Sequence, residues 1–158
     1  MRPFFVRDGG RILCRANTGG KIMAVEVYWW PPHGDNIGHA ALKVDGGSPS
    51  GTEYLSAWPG SGWSIALIGS GGYHLYEEDV AYGGAPVVVR LTKLDETAIK
   101  KRIKVLKGHG IYSFSIANCA TQAGAALHAG VPLVVPYPIP NAPWAVYYYA
   151  RSLRLLFA

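Results

Sequence analysis

The stretch Tyr112–Leu127, with the sequence YSFSIANCATQAGAAL, contains an abrupt change of pattern. Aromatic and polar residues alternate as far as Asn118, and a run of small residues with helical character follows at once. This change predicts that Cys119 lies in the first turn of a helix. The N–H groups there lack intrahelical partners and the helix dipole favours negative charge, so a thiolate is stabilised. We therefore interpret Cys119 as a nucleophile and expect the rest of the chain to supply its base and a substrate groove.

The composition is that of a folded domain. The chain has 158 residues, of which 49% are hydrophobic and 16% are charged, which suits one domain with a core. Its two cysteines, Cys14 and Cys119, are too few for a disulfide framework, and no Cys-x-x-Cys spacing indicates zinc. We therefore expect no metal and no other cofactor, a reactive Cys119 and a structural Cys14.

The net charge of +5 is a modest basic excess. It is compatible with an acidic substrate or an anionic membrane surface, but it is below what a nucleic-acid-binding domain usually carries. We therefore expect no nucleic-acid partner. One basic cluster lies on a predicted helix, where it is interpreted as a solvated face: Lys100, Lys101, Arg102, Lys104 and Lys107.

Residue patterns elsewhere predict both strands and helices. Strands are predicted at 24–30, 39–44, 52–58 and 86–91, the last being a β-branched run typical of a buried strand. Asp95 is predicted to cap a helix that runs to about 107 and is stopped by Gly108 or Gly110. Asn141 is predicted to cap a final helix. Between the strands, 77–79 is a small acidic cluster. The expected class is α+β, with an antiparallel sheet packed against the nucleophile-bearing helix and additional helices.

The domain organisation is predicted to be simple. We expect a single domain over 1–158, with an N-terminal arm or hairpin at 1–22 and a catalytic core at 24–130. A proline-rich loop and the C-terminal helix would complete it at 131–158.

A thiol nucleophile needs a base, and imidazole is the usual one. His39 is the best candidate because it follows Gly38 and begins a predicted strand, which would hold its ring on a rigid backbone. His74, on an extended segment, is the next candidate. His128 lies nine residues after Cys119, about 13 Å along a shared helix, which is too far for contact. His109 is interpreted as an exposed loop residue. His33, in the loop after two prolines, stays open as a residue that supports the site without acting as the base.

Three segments occur in a recognisable order: GHAALKV at 38–44, YLSAWP at 54–59 and the Asn118-Cys119 pair. This set resembles the circularly permuted papain-like superfamily, which includes NlpC-type peptidases, lecithin:retinol acyltransferase-like enzymes and PPPDE-type deubiquitinating peptidases. The resemblance covers about 24–130, and four positions match it: His39, Asn118, Cys119 and Leu127. It implies that Cys119 is the nucleophile, that His39 is the base, and that the backbone N–H of Cys119 helps to form an oxyanion hole.

The superfamily usually has a third polar residue that orients the histidine ring, and here three candidates stay open. A hairpin turn centred near residue 48 places position 39 opposite about 57, so Ser56 is favoured by proximity. Glu53 would orient the ring more strongly by charge, and Asp35 lies in the loop before His39. A dyad without a third member is the remaining alternative.

Three further residues are candidates for the oxyanion site or the substrate groove: Asn118, Trp58 and Gln122. Trp58 is interpreted either as a groove wall, together with Trp63, or as ordinary core packing. Gln122 is interpreted either as an oxyanion donor or as a residue on the helix surface, and the surface is favoured.

The function expected from these residues is that of a cysteine hydrolase, a peptidase or amidase that forms an acyl-enzyme on an amide, peptide or isopeptide bond. A lipid acyltransferase or phospholipase with the same dyad is the alternative, because the apolar segment from Val131 would suit contact with a membrane without integral insertion. Arg151 and Arg154 argue against full insertion, and a helix packed on the sheet also explains the segment. The third hypothesis is a non-catalytic binding domain in which Asn118-Cys119 is structural.

The segment Met1–Arg15 carries charges and has no long apolar run, so we expect neither a signal peptide nor a transmembrane span. A small leaderless domain of this type resembles bacterial effectors and toxins, such as those of type VI secretion. This resemblance implies a protein that is cytoplasmic in the producer or delivered by a leaderless route. It also implies an immunity protein, which would be acidic to match the basic domain.

Overall fold

The computed structural model describes residues 24–34, 36–45, 53–60, 69–113 and 115–157. The strands are β1 Val25–Trp30, β2 His39–Val44, β3 Glu53–Leu55, β4 Ala57–Pro59, β5 Gly69–Tyr73, β6 Val87–Leu91 and β7 Ile111–Tyr112. The helices are α1 Tyr76–Gly83, α2 Glu96–His109, α3 Cys119–His128 and α4 Pro143–Leu156. The chain is therefore of the mixed α+β class with antiparallel sheets, as expected. The predicted arm at 1–22, with Cys14, and the residues Asp35 and Trp63 lie outside the described part.

The main sheet has the strand order β3-β2-β1-β6, and all of its neighbouring strands are antiparallel. Its register pairs Trp30 with His39 and Leu42 with Leu55. The strand predicted at 52–58 is in fact divided at Ser56. Its first half, β3, belongs to the main sheet, and its second half, β4, joins β5 and β7 in a second sheet. Ser56 therefore lies where the chain passes from one sheet to the other.

Strand β6 lies at the edge of the main sheet, so the prediction of a buried strand at 86–91 is wrong. Val87 and Val88 are 39% and 45% exposed, whereas Val89 and Leu91 are buried in the core. The β-branched run predicts a strand because these residues have high strand propensity. It does not report whether a strand has neighbours on both sides.

Three helices lie on one face of the main sheet. Helix α2 packs near β3, α3 against β2, and α4 against β1 and β6. Their buried side chains form one core with those of the sheet, and its largest fully buried members include Leu42, Ile99, Leu127 and Leu153. Burial of such side chains contributes about 1.5–3 kcal/mol each, which makes this layer the main source of stability.

Helix α2 begins and ends as the sequence predicts, whereas the start of α4 differs from the prediction. Asp95 caps α2 as expected, with its side chain accepting from the N–H of Ala98 at 2.9 Å. The helix continues to His109, because Gly110 adopts the left-handed conformation (φ 58°) that ends it. Helix α4 begins with Ala142 at its N-cap and no side-chain cap, so the prediction that Asn141 caps it is wrong.

Helix α1 was not predicted, because 77–79 was interpreted only as a small acidic cluster between the strands. These acids form its first turn, where the helix dipole favours them. The carboxylate of Glu78 also accepts from the N–H of Leu75 at 2.6 Å. At the other end, Trp30 Nε1 donates to the carbonyl oxygen of Gly84 at 2.8 Å. This bond and a small cluster that includes Val80 hold α1 to the sheet.

The proline-rich loop 131–142 passes over α3. Gly124 allows this close approach, because a methyl group there would lie 2.3 Å from Cγ of Pro140. Within the described part of the chain, none of the helices has both the length and the apolarity that a bilayer crossing demands.

Candidate active site

Cys119 is the first residue of α3, as the sequence predicted, and it is only 8% exposed. Asn118 is the N-cap, and its side-chain oxygen accepts from the N–H of Thr121 at 2.9 Å. The sulfur of Cys119 receives hydrogen bonds from the backbone N–H groups of Ala40 and Ala120. These two N–H donors stabilise the ionised form of the thiol.

His39 is the first residue of β2 and is buried, at 4% exposure. The preceding Gly38 has a φ of 92°, and a Cβ there would lie 2.9 Å from the carbonyl oxygen of Trp30. Only glycine adopts this conformation without strain. The turn at Gly38 places the ring of His39 at the end of the sheet. The ring hydrogen-bonds with the side chain of Cys119. Because Nε2 contacts Ser56 Oγ at 2.8 Å, Nδ1 is the nitrogen that remains for the thiol.

Asp79 on α1 is the acidic member of this group, and the sequence analysis did not propose it. Its Oδ2 lies 3.7 Å from His39 Nε2 and accepts from the hydroxyl of Tyr54 at 2.5 Å. The hydroxyl of Ser56 also hydrogen-bonds with Asp79. Because 3.7 Å is long for a direct hydrogen bond, Ser56 completes the connection between imidazole and carboxylate. Three acids after an extended segment indicate a helix start, but they do not indicate which of the acids reaches His39.

The three groups set one another's ionisation. Burial opposes the charged form of each, but their mutual contacts outweigh it. Against burial, Asp79 and then Cys119 raise the pKa of His39 to about 9. Hydrogen bonding and the charge of His39 lower the pKa of Cys119, and contacts with His39, Ser56 and Tyr54 lower the pKa of Asp79. The arrangement therefore favours a thiolate–imidazolium pair backed by a carboxylate.

Trp58 supports the histidine ring. Its ring stacks on His39 at a centroid distance of 4.5 Å, and on His74 at 4.7 Å. Its Nε1 donates to Ser56 Oγ at 3.0 Å and to Asp79 Oδ1 at 2.8 Å. The indole therefore fixes the imidazole plane and the carboxylate together. His74 Nδ1 lies 3.3 Å from Asp79 Oδ1, so both histidines that stack on Trp58 adjoin the same carboxylate.

Gln122 does not lie on the surface, so the favoured interpretation of this residue is wrong. It is 5% exposed, and its Nε2 donates to the carbonyl oxygens of Ala117 and Ile111 at 2.9 and 3.2 Å. Its Oε1 accepts from the hydroxyl of Tyr73 at 3.1 Å. Both amide protons are committed to the backbone, so we do not assign an oxyanion role to Gln122.

Tyr112 is a second residue that the sequence analysis missed. Its hydroxyl oxygen receives a hydrogen bond from the backbone N–H of Cys119. Burial, and then the charge of Cys119, raise the pKa of Tyr112, so the phenol stays protonated. A hydroxyl donor and a backbone N–H therefore lie together beside the nucleophile.

The other predicted residues lie away from the thiol or serve the fold. Glu53 pairs with Val44, at the end of β2 opposite to His39. His128 Nδ1 contacts the hydroxyl of Tyr149 at 2.6 Å, far along α3. His33 and His109 are exposed. Over the described ranges, no group of three His, Cys, Asp or Glu side chains is arranged to hold a metal ion.

Comparison with known proteins gave no match: no family model fits the chain, and neither a curated protein nor a solved structure is similar to it. The resemblance to the permuted papain-like superfamily therefore stays a prediction. The chemistry of the site rests on the contacts described above.

Replacement of Ser56 by alanine is expected to slow the alkylation of Cys119 near neutral pH about tenfold. Ser56 is fully buried and links His39 Nε2 to Asp79, so its loss weakens the support of the imidazolium. The free energy of unfolding should fall by about 1–2 kcal/mol, the usual effect of losing a buried hydrogen bond. Alkylation kinetics and urea denaturation measure the two effects. Ser152→Ala, on the exposed side of α4, is the matched control. Unchanged alkylation in Ser56→Ala would show that Asp79 acts without this link.

Proposed function

We propose that this chain is a cysteine-dependent hydrolase that acts through an acyl-enzyme on an amide or peptide bond. One observation supports it most: a thiol at a helix start hydrogen-bonds with an imidazole whose other nitrogen contacts Ser56 and, through it, Asp79. A nucleophile, its base and a group that orients the base are the three parts that such catalysis requires.

In the first half of the proposed reaction, the thiolate of Cys119 attacks the carbonyl carbon of the substrate. The C=O π electrons move to the oxygen, and a tetrahedral intermediate forms. When the C–N bond breaks, the electron pair goes to nitrogen, and the imidazolium of His39 donates the proton that makes the amine a good leaving group. The thioester on Cys119 and a neutral His39 remain.

In the second half, neutral His39 takes a proton from a water molecule, and the resulting hydroxide attacks the thioester carbonyl. The second tetrahedral intermediate expels the thiolate and releases the carboxylic acid. The thiolate–imidazolium pair is then restored. Asp79 and Ser56 hold the ring for both proton transfers, since they contact Nε2 and leave Nδ1 towards the sulfur.

The negative oxygen of each intermediate would lie beside the backbone N–H of Cys119. The Tyr112 hydroxyl accepts from that N–H in the structure. We propose that the oxyanion displaces the hydroxyl as the acceptor, and that the phenol, which stays beside the N–H, then donates its own proton as the second donor. Its raised pKa keeps the proton that the donor role requires. Removal of one such donor typically costs about 100- to 1000-fold in kcat.

The favoured bond is an amide, because an amine leaves only when it is protonated. An imidazolium whose pKa is raised to about 9 keeps its proton throughout the neutral range. The histidine strand precedes the cysteine helix along the chain, which is in keeping with the proposed permuted papain-like membership. Delivery as a bacterial effector, with an immunity protein in the producer, stays part of the proposal.

The proposal predicts two different pH profiles. Iodoacetamide should alkylate Cys119 nearly as fast at pH 6 as at pH 8, since a lowered pKa leaves the thiolate present at both. Cys14, if it has the ordinary pKa of about 8.5, should slow about tenfold per pH unit below that value. Above pH 9 alkylation should persist, but amide cleavage should fall about tenfold per unit as the His39 imidazolium loses its proton.

Peptide mapping by mass spectrometry separates the two cysteines and detects an acyl adduct on the Cys119 peptide after incubation with a peptide amide. Cys119→Ala is the control for the adduct and for amine release. Equal and slow alkylation of both cysteines at pH 6 would refute the proposed thiolate. A reactive thiolate with no adduct and no amine release would favour a non-catalytic role.

A further inference from the structure

The outer face of the helical layer is unusually apolar for a surface. It is formed by loop 131–142 and the exposed side of α4, and we define the outer face by six residues: Leu133, Val134, Ile139, Trp144, Tyr148 and Leu155. Leu133 and Val134 are 99% and 88% exposed, and the other four are each more than half exposed. Exposed apolar side chains grouped in this way usually mark an interaction site.

The charge of the same part of the chain has one sign. All ten Asp and Glu residues lie within 1–96, whereas 97–158 contains seven Lys and Arg residues and no acid. These seven residues are on α2 and α4, which flank α3 and its covering loop. The layer that carries the apolar face is therefore also the basic part of the protein.

Helix α4 shows how the two properties combine. Its inner side, including Val146, Ala150 and Leu153, is buried in the core. Its outer side carries Trp144 and Tyr148, whose rings are in edge contact at 6.3 Å. Arg151 and Arg154 are exposed on the same helix. Helices that lie in the plane of a membrane interface typically carry Trp and Tyr together with Arg and Leu.

Loop 131–142 joins this helix to the basic one. Pro140 packs on Gly124 of α3, so the loop forms the surface above α3. Just before the loop, the carbonyl oxygen of Gly130 accepts from the N–H of Asp95 at 3.0 Å, and Gly130 packs on Ile99 of α2, which places the two elements side by side. The cations of α2, the exposed Leu133 and Val134, and the aromatic residues of α4 therefore share one side of the molecule.

We propose that the outer face docks onto the surface of an anionic lipid bilayer. Lys and Arg of α2 and α4 would contact the headgroups, and Leu133, Val134 and Trp144 would enter the boundary with the acyl chains. A bilayer offers negative charge and apolar depth over the whole face at once. This complementarity favours a membrane over an acidic protein.

Docking would also position the candidate site. Asn118, next to Cys119, donates from Nδ2 to the carbonyl oxygen of Asn141 at 3.2 Å, directly before α4. The thiol therefore lies near the Trp144 end of the outer face. The docking proposal does not depend on which bond is cut, or on whether any bond is cut.

The test is cosedimentation of the full chain with vesicles of phosphatidylcholine and phosphatidylglycerol, compared with phosphatidylcholine alone. Binding to the anionic vesicles should be at least about tenfold tighter and should weaken as salt is added. Lys101→Gln with Lys104→Gln should weaken only the anionic binding, by about tenfold. Leu133→Gln with Trp144→Gln should weaken it by about tenfold or more.

Val88→Gln is the matched control, because Val88 is an exposed apolar residue on strand β6 and not on the outer face. It should bind as the unchanged protein does, and circular dichroism verifies that each variant is folded. The proposal is overturned if the unchanged protein does not sediment with anionic vesicles at low salt, or if the Leu133 and Trp144 variant binds like Val88→Gln. A dimer in light scattering that Trp144→Gln dissociates would assign the face to a second copy. Salt-sensitive binding to polyglutamate but not to vesicles would assign it to an acidic protein.

Discussion

Replacement of His39 by glutamine is expected to slow the alkylation of Cys119 about 100-fold at pH 6. The hydrogen bond and charge of His39 are the main influences that lower the pKa of the thiol against its burial. Without them the pKa should return to the ordinary value of about 8.5 or above, where few thiols are ionised at pH 6. Amide cleavage should be lost as well, because no group remains to protonate the leaving amine. The alkylation rate is measured by mass spectrometry of samples in which the reaction is quenched at successive times.

His109→Gln is the matched control for His39→Gln, because it replaces the same residue type at an exposed position at the end of α2. It should leave the alkylation rate unchanged. His74→Gln separates the two histidines that adjoin Trp58. If His74→Gln abolished reactivity at pH 6 and His39→Gln did not, the assignment of the base to His39 would be wrong.

Replacement of Asp79 by asparagine is expected to have two effects together. The free energy of unfolding should fall by about 3 kcal/mol, because the buried carboxylate accepts from Tyr54 and Trp58 and neutralises His39. The upper limb of the pH profile for amide cleavage should move from about 9 towards the ordinary value for histidine, because Asp79 is the leading influence that raises the pKa of His39 against burial.

The contribution of Asp79 to stability is expected to depend on pH in one direction. The pKa of Asp79 is lowered in the folded chain, so its contribution to stability is complete above the ordinary Asp pKa of about 4. That contribution is lost as the pH falls through the lower folded value. The difference in stability between the unchanged protein and Asp79→Asn should therefore shrink below about pH 4. Glu77→Gln, on the same helix but exposed, should change neither stability nor the profile. A loss of stability without a shift of the upper limb would show that Asp79 serves the fold and does not tune His39.

Much of the nucleophile's local setting was readable from neighbouring residues. Asn118 and Cys119 open a helix because a cap acts within three residues, on the N–H of Thr121. His39 begins a strand because Gly38 provides the turn before it. Ser56 was placed near His39 by counting across a hairpin, and the structure shows that contact at 2.8 Å. The strand was nevertheless drawn as continuous, whereas it breaks at Ser56 and changes sheets.

Residues that depend on distant packing were missed or misjudged. Asp79 reaches His39 because α1 is held against Tyr54 and Trp30, and no pattern within 77–79 encodes that position. Gln122 was assigned to the surface by its polarity, but the carbonyl oxygens of Ile111 on β7 and of Ala117 accept its amide protons. Neither polarity nor spacing reports which backbone groups need a partner.

Four features can be predicted from the order of the residues alone: the α+β class, the helix that begins at Cys119, the strand that begins at His39, and the basic, acid-free character of 97–158. Each of these depends on local backbone preference, periodicity or composition, which are properties of residues close together in the chain. Two other features became visible only in the folded chain: Asp79 and Tyr112 join Cys119 and His39, and the basic and apolar residues share one face. These depend on how the sheet and helices pack, since packing brings together side chains whose separation along the chain carries no signal of their contact.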